Sequence, residues 1–531
     1  MTPRWRARIT AVAAAAAALA LAALGMAPAP AGASSYVSVS GSGSSWASVA
    51  IDQWAQDVRP NGIVVNYNPD GSASGRADYM ANQDDFAGSD PPFRNGLDKL
   101  GGTGAEHPSQ GYSYIPDTAG GTALIYHITV GGHLITNLRL DPKTIFEIFT
   151  GQITNWDDKR ITHIYGAQLP NLPITPVIRS DGSGATYFFT LWMASLFPSQ
   201  WNAFCARVHP GISPPCGQTE FYPSFGNAKA ENGSNNVMTY ITSSFGNGSI
   251  GYDEYAYALN AHYPVVQVLN PDNYFVGPTP QNVAVALTQA IINENKSSPN
   301  FLQQDLHKLY RFRDPRNYPI SSYSYLIVPR VGTTEPANFS NPKGRTLSTW
   351  VNFLLCGGQQ QMRQLGYSPL PENLVAGGLI QNAKIPGHVQ VPSVNHLVNC
   401  NNPTMDHGRN ILLATAPFPS PCQKLGAPLH CVVKGGKAVA TGASSSSGGG
   451  STKNKSTTSA SSAAGATATG AATGTTTGAT GQVTGVVVNL AGDHSNQAAL
   501  GGLTALGILL AVAVPPGLAV WLRRRRGQAR G

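Results

Sequence analysis

The sequence predicts an α/β protein of two lobes with largely parallel sheets. Short β-like runs alternate with helix-like ones throughout the region from about Ser35 to Cys431, the pattern of strands covered by crossover helices. That region, roughly four hundred residues, is longer than one hydrophobic core accommodates, so two domains are expected. Both ends of the 531-residue chain are of another kind and are set apart first.

Arg4, Arg6 and Arg8 precede an Ala/Leu-rich apolar run from Ile9 to about Met26, and Ala31-Gly32-Ala33 follows. This is the layout of a secretory signal, expected over 1–33 with cleavage after Ala33. No cysteine follows the apolar run, which argues against lipid attachment there. At the other end, Ala498 to Leu522 carries no charge and is followed by Arg523, Arg524, Arg525 and Arg526. The run is long enough to span a bilayer, and its arginines belong on the cytoplasmic side. The expectation is a single-pass cell-membrane protein, extracytoplasmic except for a basic tail at 523–531. No Leu-Pro-x-Thr-Gly wall-sorting motif precedes the apolar run. Residues 435–497, nearly all Ser, Gly, Thr and Ala from about Ala438 to Gln482, read as a disordered stalk.

The net charge of +8 is a property of these ends. Arg4, Arg6, Arg8, Arg523 to Arg526 and Arg530 supply all of the surplus, leaving the exported part formally neutral. Nucleic-acid binding loses its main sequence argument, a concentrated basic patch. Six cysteines in an exported chain imply disulfides. Sequence proximity favours Cys205 with Cys216, Cys356 with Cys400 and Cys422 with Cys431. No C-x-x-C occurs and the twelve histidines are scattered, so neither a zinc site nor any cofactor is expected.

Along the folded region, Val37 to Ser40 leads through a Gly/Ser turn into a helix over Trp46 to Trp54. Ile63 to Tyr67 leads through Gly71-Ser72-Ala73-Ser74-Gly75 into another, and Thr122 to Val130 reads as a strand. Asp141-Pro142 places a cap and an N1 proline before Lys143 to Phe149. Pro176 to Arg179 leads through Ser180-Asp181-Gly182 into a helix from Ser183 to Leu196. Three times, then, a strand ends in a small-residue loop and a helix begins. Helix N-termini present unpaired N–H groups and a positive dipole end, so three such junctions, with Arg179 and Asp90 beside similar loops, point to oxyanion binding.

The motifs themselves resemble those of PstS-type phosphate-binding proteins. Gly41-Ser42-Gly43-Ser44-Ser45-Trp46, Val65-Asn66-Tyr67 with Gly71-Ser72, and Asp85-Phe86-Ala87-Gly88-Ser89-Asp90 carry the likeness first. Gly151-Gln152-Ile153-Thr154-Asn155-Trp156-Asp157, Arg179-Ser180-Asp181-Gly182-Ser183-Gly184 and Gly248-Ser249-Ile250-Gly251-Tyr252 continue it in the family's order. The resemblance implies a two-lobed periplasmic-binding-protein clamp, of the Venus-flytrap type II kind, that closes on one inorganic phosphate and delivers it to an ABC permease. By position it implies that Ser45 and Ser72 donate hydroxyl hydrogen bonds and that Trp46, where the family usually has Phe, offers its backbone N–H. Ser183, Gly184 and Ala185 would bind phosphate oxygens at a helix start, and Arg179 would pair with the anion, steadied by Asp181. The family commonly has Thr where this chain has Ala185, so one hydroxyl contact is expected to be missing.

Two of these roles have an independent physical rationale. Arginine offers a planar fork of donors that matches phosphate. A carboxylate such as Asp90 repels an anion unless the ligand brings a proton for it to accept; phosphate does so near neutral pH and sulfate does not. Other readings are a hydrolase with Ser183 as nucleophile, a surface sensor or adhesin that keeps the site without feeding a transporter, and a binder of another oxyanion. The hydrolase reading lacks the Gly-x-Ser-x-Gly elbow. The expected layout is a first lobe over 34–117, a second over 118–262, and a return to the first over 263–434 that includes a disulfide-bearing extension after Asn373. A monomer is expected.

Overall fold

The computed structural model describes residues 36–332, 337–394, 397–406 and 409–441. The expected signal segment and membrane span lie outside these residues, as does all but the beginning of the stalk. Among the described residues no helix is long and apolar enough to cross a membrane.

In chain order the elements that build the site begin with β1 (Val39–Gly43), α1 (Ser48–Val58), β2 (Val65–Asn68), α2 (Ser72–Met80) and β3 (Phe86–Ser89). There follow β4 (Tyr112–Tyr126), β5 (Arg139–Leu140), α3 (Pro142–Phe149), β6 (Thr175–Arg179), α4 (Gly184–Leu196) and α5 (Pro198–Val208). Next come β7 (Lys229–Glu231), α6 (Gly233–Thr242), β8 (Ser249–Glu254), α7 (Tyr255–Asn260), β9 (Gln267–Leu269) and β10 (Phe275–Val276). The return is made by β11 (Ser321–Pro329), α8 (Asn341–Leu355) and α9 (Glu372–Asn382). A hairpin of β12 (Cys431–Lys434) and β13 (Lys437–Ala440) ends the described chain.

The main sheet has the order β2-β1-β3-β11-β4-β8-β6-β7. Its two wings are parallel, as the alternation of strands and helices predicts: β1 pairs in parallel with β2 and β3, and β6 with β8 and β7. Its centre is antiparallel, because β11 runs against both β3 and β4, and β8 against β4. The whole of β4 is needed for this. Its residues 112 to 121 pair with β11, and Thr122 to Tyr126 pair with β8, so one strand passes from the first lobe into the second.

That strand starts ten residues before the Thr122 expected from sequence. The register between β4 and β11 shifts next to Pro116, with Asp117 and Thr118 facing Ser324 alone. A bulge tolerates a proline and re-aims the extra side chain. The other elements follow the sequence closely. Asp141 caps α3 by accepting from Thr144 N at 2.9 Å, with Pro142 at N1. Ser183 caps α4, accepting from Thr186 N at 3.4 Å.

The core is aromatic as well as aliphatic. Trp46, Trp54, Trp156, Trp192, Trp201 and Trp350 are all fully buried. Phe189 stacks on Tyr252 with centroids 4.6 Å apart, fixing α4 against β8. After Leu269 the chain stays beside the second lobe, since β9 pairs with β5 and β10 with β9. The extension after Asn373 divides its contacts. Asn402 and Thr404 bond the carbonyl of Leu370, whereas Leu425 N donates to Asn273 O at 2.8 Å and Arg139 to Cys422 O at 3.3 Å. The β12–β13 hairpin carries the fold to Ala440, six residues past the expected end of the folded part at Lys434.

The three disulfides are Cys205–Cys216, Cys356–Cys400 and Cys422–Cys431, as sequence proximity favours. The second closes the longest loop, with a sequence separation of 44. Replacing Cys356 and Cys400 together by serine is expected to lower unfolding free energy by about 2 to 4 kcal/mol, chiefly by freeing the unfolded chain. Chemical denaturation under non-reducing conditions checks this, and an unchanged midpoint contradicts it.

Candidate functional site

Four loop-to-helix junctions converge where the lobes meet: those entering α1, α2, α4 and α6. The first three are the Gly/Ser loops that the sequence singles out. Each carries a serine at or near the helix start, and in α4 that serine, Ser183, is the N-cap itself.

Arg179, at the end of β6, is 1% exposed and stands at the centre. Its Nε donates to Asp181 Oδ1 at 2.8 Å and its Nη2 also reaches Asp181 Oδ2. Nη1 donates to Ser234 Oγ at 3.2 Å and to Asp253 Oδ2 at 3.4 Å, and Nη2 donates to Ser45 Oγ at 2.7 Å. Burial alone would lower the guanidinium's pKa, but Asp253 and then Asp181 hold it above its ordinary value. Asp181 is fixed in turn by Gly233 N, which donates to its Oδ1 at 2.9 Å. Gly71, in the α2 junction, has φ +107° and no room for a side chain: a Cβ there would lie 2.6 Å from Asp181 Oδ2.

Asp90 faces this group from the first lobe. Ser44 Oγ donates to its Oδ1 at 2.8 Å and Ser72 Oγ to its Oδ2 at 3.3 Å. Burial pushes its pKa up to about 6, against the opposing pull of Ser324, Ser44, Ser72 and Arg179. Across the cleft Asp90 abuts the first residue of α4. A Cβ on Gly184 would fall 1.9 Å from Asp90 Oδ2, so only glycine permits this approach.

The sequence-predicted residues thus meet. Ser45 reaches Arg179, Ser72 reaches Asp90, Asp181 grips Arg179, and Gly184 abuts Asp90. Trp46 is buried beside them, its carbonyl accepting from Tyr367 OH at 2.6 Å and its ring set edge-on to Tyr367 at 5.9 Å. Ser183 is buried, and its hydroxyl caps α4 rather than standing free as a nucleophile. Ala185 is buried at the second residue of α4. Its neighbour Thr186 supplies no substitute hydroxyl, because Thr186 Oγ1 is bonded to Tyr252 OH at 2.8 Å.

Sequence reasoning missed three members. Ser44 is one residue before the serine chosen. Ser234 follows Asn232-Gly233 at the start of α6, a fourth small-residue loop; its Oγ donates to Asp253 Oδ1 at 2.8 Å and lies 2.9 Å from Ser45 Oγ. Asp253 has no local signature, being the penultimate residue of a strand. Burial raises its pKa, and Arg179 opposes that rise. Next to it, Glu254 has both carboxylate oxygens buried without a hydrogen-bond partner among the described residues, and burial pushes its pKa well above the ordinary value.

The family model for the PBP superfamily domain matches residues 28–357. The chain belongs to this superfamily. Among its superfamily relatives is the phosphate-binding protein PstS of Methanocaldococcus jannaschii, 26% identical over 338 residues that cover 62% of this chain and 81% of that protein. PstS 2 of Mycobacterium tuberculosis is 26% identical, covering 59% of this chain and 78% of its own length, and PstS of Xylella fastidiosa is 28% identical, covering 61% and 79%. The solved structure of a high affinity periplasmic phosphate-binding protein bound with phosphate shares the two-lobed superfamily fold. It has a TM-score of 0.50 at 18% identity and covers 66% of this chain and 96% of that one. The superfamily match takes in the region that holds Ser45, Asp90 and Arg179.

The raised pKa of Asp90 carries a stability prediction. Its folded value of about 6 lies above the ordinary 3.8, so ionising it costs the folded state. Asp90→Asn removes that cost. Without added anion it should stabilise the protein by up to about 3 kcal/mol above pH 6 and by little at pH 4. Denaturant titrations at the two pH values check this; an equal effect at both contradicts the assignment.

Proposed function

We propose that this protein captures inorganic phosphate outside the cytoplasm and hands it to an ABC importer. The observation that carries the proposal is the pairing of a buried, fixed cation with a buried, fixed proton acceptor across one cleft. Arg179 supplies a permanent charge and directional N–H donors. Ser45, Ser72, Ser183 and Ser234 supply hydroxyls that can donate, and the N-terminus of α4 supplies its first backbone N–H groups. Asp90, alone among these groups, can only accept when ionised. A tetrahedral anion that still carries a proton satisfies all of them, whereas one without a proton leaves Asp90 facing an oxygen lone pair. The PstS relatives bear the name of phosphate-binding proteins, which supports the same reading. In it, 1–33 directs export and 498–522 anchors the chain, with 442–497 as a tether for a monomeric binding unit. Binding rather than hydrolysis is the proposed activity, since the sequence around Ser183 lacks the Gly-x-Ser-x-Gly elbow that exposes a nucleophilic serine.

A calorimetric titration of the full chain in detergent should show saturable one-to-one phosphate binding at pH 8 with little sulfate binding. Asp90→Asn should relax this toward sulfate. Lowering the pH from 8 to 5 should have a similar effect in the parent, because Asp90 gains a proton as pH falls through about 6 and becomes a donor. No phosphate binding by the folded protein, or a sulfate exclusion indifferent to Asp90, would overturn the proposal.

Ala185→Thr should tighten phosphate binding by about tenfold, the worth of a hydrogen bond to a charged group. Unchanged or weaker affinity in the same titration would count against the placement of Ala185 beside the anion.

A further inference from the structure

Outside the anion site, a second group of buried charges spans the two lobes. Arg76 lies one turn beyond Ser72 in α2 and is 0% exposed. Its Nε donates to Glu106 Oε2 at 2.8 Å, its Nη1 to Ser89 Oγ at 2.9 Å, and its Nη2 to both oxygens of Glu220 at 2.7 Å. Arg94 joins the same carboxylates, Nη2 to Glu106 at 2.8 Å and Nη1 to Glu220 at 3.4 Å. Arg76, Arg94 and Glu106 belong to the first lobe, and Glu220 to the second. Two guanidinium groups thus face two carboxylates, and the group is neutral as a whole. Burial alone would lower the Arg76 guanidinium's pKa, but Glu220 and Glu106 hold it above its ordinary value.

The backbone of Glu220 ties this group to the anion site. Its carbonyl accepts from Ser183 N at 3.0 Å, and its N–H donates to Asp98 Oδ2 at 3.0 Å. Around it, Lys99 Nζ donates to Ser213 O at 2.9 Å and to Pro215 O at 2.7 Å. The Cys205–Cys216 disulfide staples that side of the second lobe to α5. One residue therefore grips α2 with its side chain and the start of α4 with its main chain, and these helices carry Ser72 and Gly184.

We propose that this ion-pair group is a cross-lobe clasp, with Glu220 a positioning residue that sets how long the cleft stays shut on its anion. The proposal rests on the reading of the cleft as a phosphate site. When the lobes part, Glu220 must leave Arg76, and a carboxylate and guanidinium that meet out of water gain no solvent until they have separated. Such pairs act on dissociation more than on association. Arg76 retains Glu106 when Glu220 loses its charge, and the charge left uncompensated falls on Arg94, the partly exposed member of the two arginines. Arg94 forms the wetter end: its side chain is 15% exposed and lines a cavity of about 270 Å³ with Phe93, Asp98 and Tyr187.

The test is stopped-flow release of phosphate from the full chain in detergent, comparing the parent with Glu220→Gln and Arg94→Gln. Release should quicken about tenfold in the first and about threefold in the second, with the association rate unchanged. The preference for phosphate over sulfate should stay as in the parent, because Asp90 is untouched; a residue of purely structural importance would not single out the release step. Should Glu220→Gln fail to fold, Arg94→Gln decides alone. Release within about twofold of the parent in every folded variant overturns the clasp. Amide hydrogen exchange without added phosphate separates the two readings. If the parent itself binds no phosphate, the site reading fails, and faster exchange at Ser183 and Glu220 in either variant still upholds the clasp. Exchange equal to the parent's refutes it.

Discussion

Arg179 cannot give up its proton and cannot remain out of water unpaired, so the groups around it answer a charge that is always present. Asp181 takes one edge of the guanidinium and Asp253 another, while the hydroxyls of Ser45 and Ser234 take what is left. Those hydroxyls are the adaptable part, since each can rotate between accepting from arginine and donating to an anion. The carboxylates are the fixed part. Much of the local backbone follows from them: Gly71 has to be glycine for its loop to pass Asp181, and the start of α6 is held where Gly233 can reach the same side chain.

Asp90 imposes the opposite requirement from the other lobe. A buried carboxylate next to a helix N-terminus attracts the dipole, yet it is a liability to any anion that comes between them. Ser44 and Ser72 moderate it with hydrogen bonds but leave its pKa high, so it is primed to share a proton rather than to sit inert. The site therefore divides its groups across the cleft, with Arg179 and the carboxylates that hold it on the second lobe and Asp90 with its serines on the first. The start of α4 and Asp90 are in contact across the cleft, so the two lobes contribute to one site.

What was legible in the sequence was whatever a few neighbouring residues decide. The junctions at Ser45, Ser72 and Ser183 announce themselves through small residues between a strand and a helix. Ser234 has the same announcement in Asn232-Gly233, but the three-residue strand before it is too short to read as one. Asp253 owes its role to strand pairing alone: because β8 runs parallel to β6 with Gly251 opposite Val177, Asp253 and Arg179 leave the sheet side by side. The early start of β4 depends on distant sequence, because its residues 112 to 121 gain a partner, and the bulge beside Pro116 its place, only once β11 lies alongside. Glu220 was equally silent, since its partners Arg76 and Arg94 come from a segment more than a hundred residues earlier and from the other lobe. Local signals thus located the donors, and long-range register supplied the groups that orient them.

The placement of β11 between β3 and β4 also bears on how the chain is made. The second half of β4, with β8, β6 and β7, is complete once Glu254 has emerged, so that lobe can assemble from consecutive sequence. The first lobe cannot, because the strand at its centre begins only at Ser321, about two hundred residues after β4 ends. Until then β3 and the first half of β4 each present an unpaired edge, the kind of surface that invites foreign strands. A chain made N-terminus first carries this gap through the roughly two hundred residues that separate β4 from β11. The later-written half of the protein would seal the earlier one, so a nascent chain cut short before Ser321 would leave a sheet with its middle missing rather than a smaller finished domain.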